Sequence, residues 1–284
     1  MAIDTQAFRL LLAARKAGAD FDRTVTFGRQ SFYPKPGHAA RALARSNLGL
    51  TLAEVGPVRH CYGEGFLKAL GAETVDSIDA SGYEGATIVH DLNQPVPPQL
   101  HGQYTVVYDG GTTEHVFHYP QTLLSAMQLL AVGGHFVSIT AGNNLSGHGF
   151  YQISPELFFR VFNRANGFET VAVLLAEARP GGRFFRVADP AVLKERIEFV
   201  TGQPMLVAVI ARKVAATGAL QAAPQQSDYQ QAWQAAGAAA PPGKLGREAR
   251  RVLSQARLWL GRCFYLPWQS RGITALSDEQ LYSL

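Results

Sequence analysis

The sequence predicts an α/β fold, a mostly parallel sheet covered by helices on both faces. Three observations carry that expectation. Short runs rich in β-branched and aromatic residues alternate with segments whose apolar residues recur at helical spacing. The run 103–111, QYTVVYDGG, is continuously apolar, as a strand buried on both faces is, instead of alternating inside and outside. With 284 residues and 47% apolar composition, the chain is long enough to bury one full α/β domain and carry an appendage.

The elements follow in order. Ile3, Ala7, Leu10, Leu11 and Ala14 stand at helical spacing and make an opening helix in a segment, 1–22, that lids or edges the main domain. The main domain spans 23–214. It starts with a strand at 23–30 ending in Gly28, then a helix at 36–50 after a proline start. A helix at 63–72 precedes a strand at 73–81, and the strand at 85–97 is stopped by prolines. The strand at 103–111 runs into a glycine turn, and the helix at 119–134 has an apolar stripe closed by glycines. After the strand at 135–144, Ser154 as N-cap, Pro155 in the first turn and Glu156 against the helix dipole open a helix at 154–168. A strand at 169–178, a helix at 189–200 and a strand at 204–214 complete seven strands in a Rossmann-like, doubly wound sheet. The composition then shifts to Ala, Gln, Pro and Gly, a low-complexity linker over 215–246. The tail, 247–284, opens with a basic helix over 247–268 whose Val252, Ala256, Trp259 and Cys263 share one face. Such a face docks on its own domain or joins two copies as a homodimer; the less favoured alternative is contact with an anionic membrane surface.

Composition excludes several function classes. A formal charge of +4 without a long basic block argues against nucleic acid as the main partner and for a small-molecule substrate. Cys61 and Cys263 are far apart and lack metal-ligand spacing, so neither a disulfide framework nor a metal site is expected. A reducing cytoplasm fits. The N-terminal apolar run is interrupted by Arg9 and closed by Arg15 and Lys16, which does not suit a secretory core.

In an open parallel sheet ligands bind beyond the carboxyl ends of the strands. The residues there are Gly28, Arg29 and Gln30; Asp79 and Ser81; Asp91, Leu92 and Asn93; Asp109 and Gly110; and Asn143 and Asn144. Three successive strands end in aspartate. One such carboxylate ordinarily caps a turn, whereas three on one edge suit a nucleoside. Asn143 and Asn144 are either turn formers or contacts to a polar acceptor. Of the histidines, His135 reads as a solvated turn residue and His118 as a helix cap, while His115 should face the crevice. His148 lies in SGHGFYQ, a glycine-flanked loop expected to be a mobile flap across the mouth of the site.

Residues IDAS (78–81), HDLN (90–93), 104–140 and NNLSGHGFYQISPELFFRVF (143–162) resemble the second to fifth strands and following helix of class I S-adenosylmethionine-dependent methyltransferases. The resemblance extends over 23–214 and is most specific over 109–160, which is similar to a bacterial subgroup from small-molecule and surface-sugar pathways. It implies S-adenosyl-L-methionine as cofactor, with Asp79 at the ribose, Ser81 as a further cofactor contact, Asp91 and Leu92 at the adenine, and Asp109 and Gly110 beside the methionine part. The family pattern has several glycines after the first strand. Here Gly28 stands alone, and Arg29 and Gln30 are expected either to meet the methionine carboxylate or to be ordinary turn residues. The implied activity is methyl transfer to an oxygen or nitrogen of a small polar metabolite, with His148, and after it His115, as general base. Tyr151 and Gln152 would orient the substrate. The alternatives are a catalytically inactive binding or scaffold protein with this fold and, less favoured, a nucleic-acid methyltransferase.

Overall fold

A computed structural model describes residues 2–56, 61–217, 219–221, 223–238, 252, 256, 259, 268–269 and 272–284. The strands are β1 (Ala2–Ile3), β2 (Arg23–Phe27), β3 (Ser31–Phe32), β4 (Cys61–Tyr62), β5 (Thr74–Asp79), β6 (Ile88–Val89) and β7 (Tyr104–Gly110). They continue with β8 (Leu130–Asn143), β9 (Phe168–Glu177), β10 (Phe184–Val187), β11 (Phe199–Val200), β12 (Met205–Lys213), β13 (Trp268–Gln269) and β14 (Ile273–Leu276). The helices are α1 (Thr5–Lys16), α2 (Pro36–Ser46), α3 (Leu52–Val55), α4 (Glu64–Ala69), α5 (Tyr119–Leu129), α6 (Pro155–Val161), α7 (Pro190–Leu193), α8 (Ser227–Ala238) and, at the C-terminus, α9 (Asp278–Leu281).

Nine strands form the main sheet, in the order β14-β10-β9-β12-β8-β7-β2-β5-β6. Five of them, β6-β5-β2-β7-β8, are joined by parallel ladders, which in chain order is the Rossmann-like arrangement 3-2-1-4-5. The other pairings, β8-β12, β12-β9, β9-β10 and β10-β14, are antiparallel. The expectation of seven strands in a mostly parallel sheet is corrected accordingly. Both added strands, β10 and β14, are four residues long, too short to stand out by periodicity.

Apolar side chains on each face explain why the layers form. On one face α1 packs with α2 and α4 over Val106, Tyr108 and Val137; on the other, α5 and α6 cover Val107, Phe136 and Val209. Asp4 caps α1 by accepting from the Gln6 and Ala7 amides, both at 2.9 Å, and Leu10, Leu11 and Leu12 are 0% exposed. The opening helix is therefore part of the core. Ser154 accepts from the Glu156 amide at 3.4 Å with Pro155 in the first turn, so α6 starts where its caps indicate.

Several expected boundaries move. The helix expected over 119–134 stops at Leu129, because Leu130 pairs with Tyr104 and the chain joins the sheet five residues before His135. His135 itself is 3% exposed, not a solvated turn residue. The helix expected over 189–200 is only α7, which ends where Lys194 takes a left-handed conformation at φ 57°. Within the expected linker, 227–238 is helical as α8. Of the expected tail helix only Val252, Ala256 and Trp259 are described, as helical and exposed; the rest of 247–267, Cys263 included, lies outside the described residues. Among the described residues no helix is long and apolar enough to cross a membrane.

Candidate active site

Two cavities open at the carboxyl ends of the parallel strands, one on each side of the turn that follows β7. The turn is built first by Asp109, the penultimate residue of β7, which is 0% exposed. Its carboxylate accepts from the Thr112 and Thr113 amides at 2.9 and 3.2 Å, and from the Thr113 and Ser138 hydroxyls at 2.7 and 2.8 Å. Burial, with Glu114 nearby, pushes the Asp109 carboxyl up to about 6. The Thr112 hydroxyl donates to the Phe27 carbonyl and ties the turn to the end of β2. Asp109, expected beside the methionine part, is thus a structural acceptor with no exposed surface for a ligand.

The first cavity, of about 380 Å³, is lined by Ile78, Asp79 and Ala80 from the end of β5, by Asp91, Leu92 and Asn93 beyond β6, and by Thr112, His115 and Val116 from the turn. That volume is in the range of small-ligand pockets. The Asn93 backbone and side-chain amides donate to one Asp91 oxygen at 2.9 and 2.8 Å and hold its carboxyl below the usual range. The Asn93 side-chain carbonyl in turn accepts from the His118 amide at 2.9 Å, which fixes the rim to the start of α5. Ser81 does not line the cavity; its amide donates to Asp79 at 3.4 Å and its hydroxyl accepts from the Tyr83 amide.

The second cavity, about 160 Å³, is lined by Asp4, Tyr33, Gly110, Glu114, Thr140 and His148 among others. Four deeply buried polar atoms at or behind this wall have no hydrogen-bond partner: Gln30 Oε1, Tyr108 Oη, Glu114 Oε2 and Thr140 Oγ1. Gly110 is required here, since a Cβ would lie 2.3 Å from Gln30 Oε1 and 2.7 Å from the Tyr108 hydroxyl. Burial also pushes the Asp4 carboxyl up. A cavity with the unpartnered Glu114 and Thr140 side chains in its wall suits a polar ligand.

The loop 144–152 contributes His148 to the second cavity. The Phe150 and Tyr151 amides donate to the Glu114 carbonyl at 2.8 and 3.3 Å, and the His148 amide donates to the Leu145 carbonyl at 2.9 Å. The loop expected to be a mobile flap is thus stitched to the turn. His148 Nε2 sits 3.5 Å from Glu114 Oε1, and the His115 and His148 rings are 5.1 Å apart. Burial and the neighbouring His148 lower the His115 pKa. Glu114, His115 and His148 bring three metal-ligating atoms within 4.8 Å of one another, where the sequence suggested no metal site.

Asp79, Asp91, Leu92 and His115 therefore share the first cavity, and Gly110 and His148 share the second. Other expected contacts are engaged elsewhere. Arg29 pairs with Glu64 at 2.7 Å, donates to the Glu84 carbonyl at 2.8 Å and stacks on Tyr62. Gln30 is 2% exposed and donates to the Phe27 carbonyl at 2.6 Å, while Gly28, at φ 68°, lets the chain turn away. Neither lines the first cavity. The Tyr151 hydroxyl donates to the Phe117 carbonyl at 2.6 Å, and the Gln152 side chain accepts from the Leu145 amide at 2.9 Å. Asn143 accepts from the Asn144 amide, and Asn144, at φ 56°, donates to the Thr201 and Gln203 carbonyls, so the pair are turn formers. Asp4, Tyr33, Glu114 and Thr140 were missed. Only Glu114, beside His115, carried a local signal.

No family model matches the chain, and no curated protein matches it. Solved structures do match in part, and the three described next are each 13% identical to this chain. A Listeria monocytogenes protein described as an S-adenosylmethionine-dependent methyltransferase covers 74% of this chain and 100% of its own, with a TM-score of 0.41. The Burkholderia thailandensis 1,6-didemethyltoxoflavin-N1-methyltransferase, with S-adenosylhomocysteine bound, covers 74% of this chain and 78% of its own at 0.39. The 16S rRNA (adenine(1408)-N(1))-methyltransferase of Catenulisporales acidiphilia covers 73% and 92% at 0.35.

Proposed function

We propose that the protein is an S-adenosylmethionine-dependent methyltransferase acting on an oxygen or nitrogen of a small polar metabolite. One observation carries the reading: carboxylates from successive parallel strands, Asp79 and Asp91, converge with the Leu92 backbone on one nucleoside-sized hollow at the strand ends. These residues fit an adenosyl group. Asp79 would accept from the ribose hydroxyls and Asp91 from the adenine amino group. When bound, the cofactor supplies an electrophilic methyl carbon. The second cavity, on the other side of the turn 110–115, would take the polar acceptor, with Glu114, Thr140 and His148 in its wall. The His148 imidazole would take up the proton that the acceptor gives up, with the Glu114 carboxylate stabilising the resulting cation.

A second reading, a non-catalytic binding protein with this fold, is favoured by the turn after β2. Arg29 is committed to Glu64, and Gln30 is packed behind Gly110, so the methionine end has no evident cationic partner there. Calorimetry with S-adenosylmethionine and S-adenosylhomocysteine separates the two. The expected outcome is binding of both, weakened roughly tenfold to hundredfold by Asp79→Ala through loss of a charge-assisted hydrogen bond of about 1.5–3 kcal/mol. No binding by the unaltered chain would overturn the enzymatic reading.

A further inference from the structure

The geometry points to a metal centre: Glu114, His115 and His148 bind one divalent transition-metal ion through a carboxylate oxygen and two imidazole nitrogens, at the junction of the two cavities. The spacing supports this. Ligands held at about 2.0–2.2 Å from such an ion stand roughly 3–3.5 Å apart. Glu114 Oε1 and His148 Nε2 already stand 3.5 Å apart, and the third donor atom lies within 4.8 Å of both. Side-chain rotation by roughly 1 Å completes the set.

An independent observation points the same way. Glu114 is 1% exposed, its Oε2 has no hydrogen-bond partner, and its Oε1 faces an imidazole beyond ordinary hydrogen-bond length. A carboxylate so far from water needs a cation or donors, and no arginine or lysine pairs with it among the described residues. The fold also spends specific residues on presenting this group. Asp109 anchors the start of the turn, and Gly149, at φ 77°, lets the 148–150 loop lie on Glu114, where a Cβ would come within 2.7 Å of the Glu114 carbonyl oxygen. Two imidazoles and one carboxylate suit zinc and its first-row neighbours, not the all-oxygen shells of magnesium or calcium. His115 lines the first cavity and His148 the second, so the open coordination positions face both.

Binding of the ion does not depend on the methyltransferase reading. One consequence does rest on it: with the ion bound, His148 is a ligand, and an acceptor hydroxyl would lose its proton because metal coordination makes it more acidic.

The test uses the full chain stripped of metal by a chelator, titrated with Co²⁺ followed by its visible absorption and with Zn²⁺ by calorimetry. One ion per chain is expected, with His148→Ala and Glu114→Gln each weakening binding at least ~10-fold. His115→Ala, at an exposed side chain, gives the same readout should Glu114→Gln disturb folding as seen by circular dichroism. Absence of stoichiometric binding, or affinity unchanged by His148→Ala and His115→Ala, overturns the proposal. S-adenosylmethionine binding is measured separately on the same samples. If metal binds as described but the nucleoside does not, the metal centre stands and the methyltransferase reading falls.

Discussion

His135 shows what burial does to a single titratable residue. It pairs across the sheet with Arg212, its Nδ1 has no hydrogen-bond partner, and it is 3% exposed. Burial, with Arg212 second, pushes the imidazole down to about 4. Because the folded chain favours the neutral ring, the associated stability is present above the unfolded value near 6.5. It is lost as pH falls from there through about 4. Denaturant unfolding at pH 7.5 and 5 should show His135→Leu less sensitive to acid than the unaltered chain, by up to roughly 2 kcal/mol. Equal pH slopes would show that His135 is hydrated after all. Sequence alone could not place this residue, since a histidine after two glycines looks the same whether the strand begins before it or after it.

The loop 144–152 is the element on which the site depends most. Its glycines read as signs of mobility, but the structure uses Gly149 for contact, since only a residue without Cβ can rest on Glu114 at φ 77°. Gly149→Ala should cost about 1–3 kcal/mol of stability in thermal unfolding, from the strained conformation. On the proposed methyltransferase reading, it should also cut methyl transfer by on the order of 100-fold, as His148 moves off Glu114 by about an ångström. Unchanged activity would mean that the loop finds another seat. The same element explains why Tyr151 and Gln152 read as substrate contacts and why Asn143 and Asn144 left two readings open. Their side chains hydrogen-bond loop backbone, a use of polar residues that sequence does not distinguish from substrate contact.

At the scale of the molecule, the C-terminus closes the fold over its beginning. β14 pairs with β10 at the sheet edge, and Asp278, at the start of α9, accepts from Arg9 of α1 at 2.6 Å and from Arg45 at the end of α2. Arg9 is 7% exposed and also donates to the Gly182 carbonyl at 2.6 Å, so removing its carboxylate partner leaves a buried cation underpaired. Asp278→Ala should destabilise the whole chain by about 2 kcal/mol in denaturant unfolding, scaled down from a fully buried pair because Asp278 is partly exposed. A chain cut before residue 272 should expose the β10 edge and self-associate on size exclusion. A monomer with unchanged stability would show that the last residues are dispensable.

Local pattern determined the five parallel strands, the helices between them and the aspartates at their ends. Hydrophobic period, proline stops and N-caps act over a few residues, and the family-like run 109–160 lies within one such stretch. Tertiary structure decided which aspartate faces a cavity and which is consumed: three of the donors to Asp109 come from the turn just after it, but its burial and its fourth donor, the Ser138 hydroxyl, come from pairing with β8. It also decided where Leu130 leaves the helix, that β10 and β14 extend the sheet, and that His148 meets Glu114. Those outcomes depend on contacts between residues distant in the chain, and no short-range propensity encodes them.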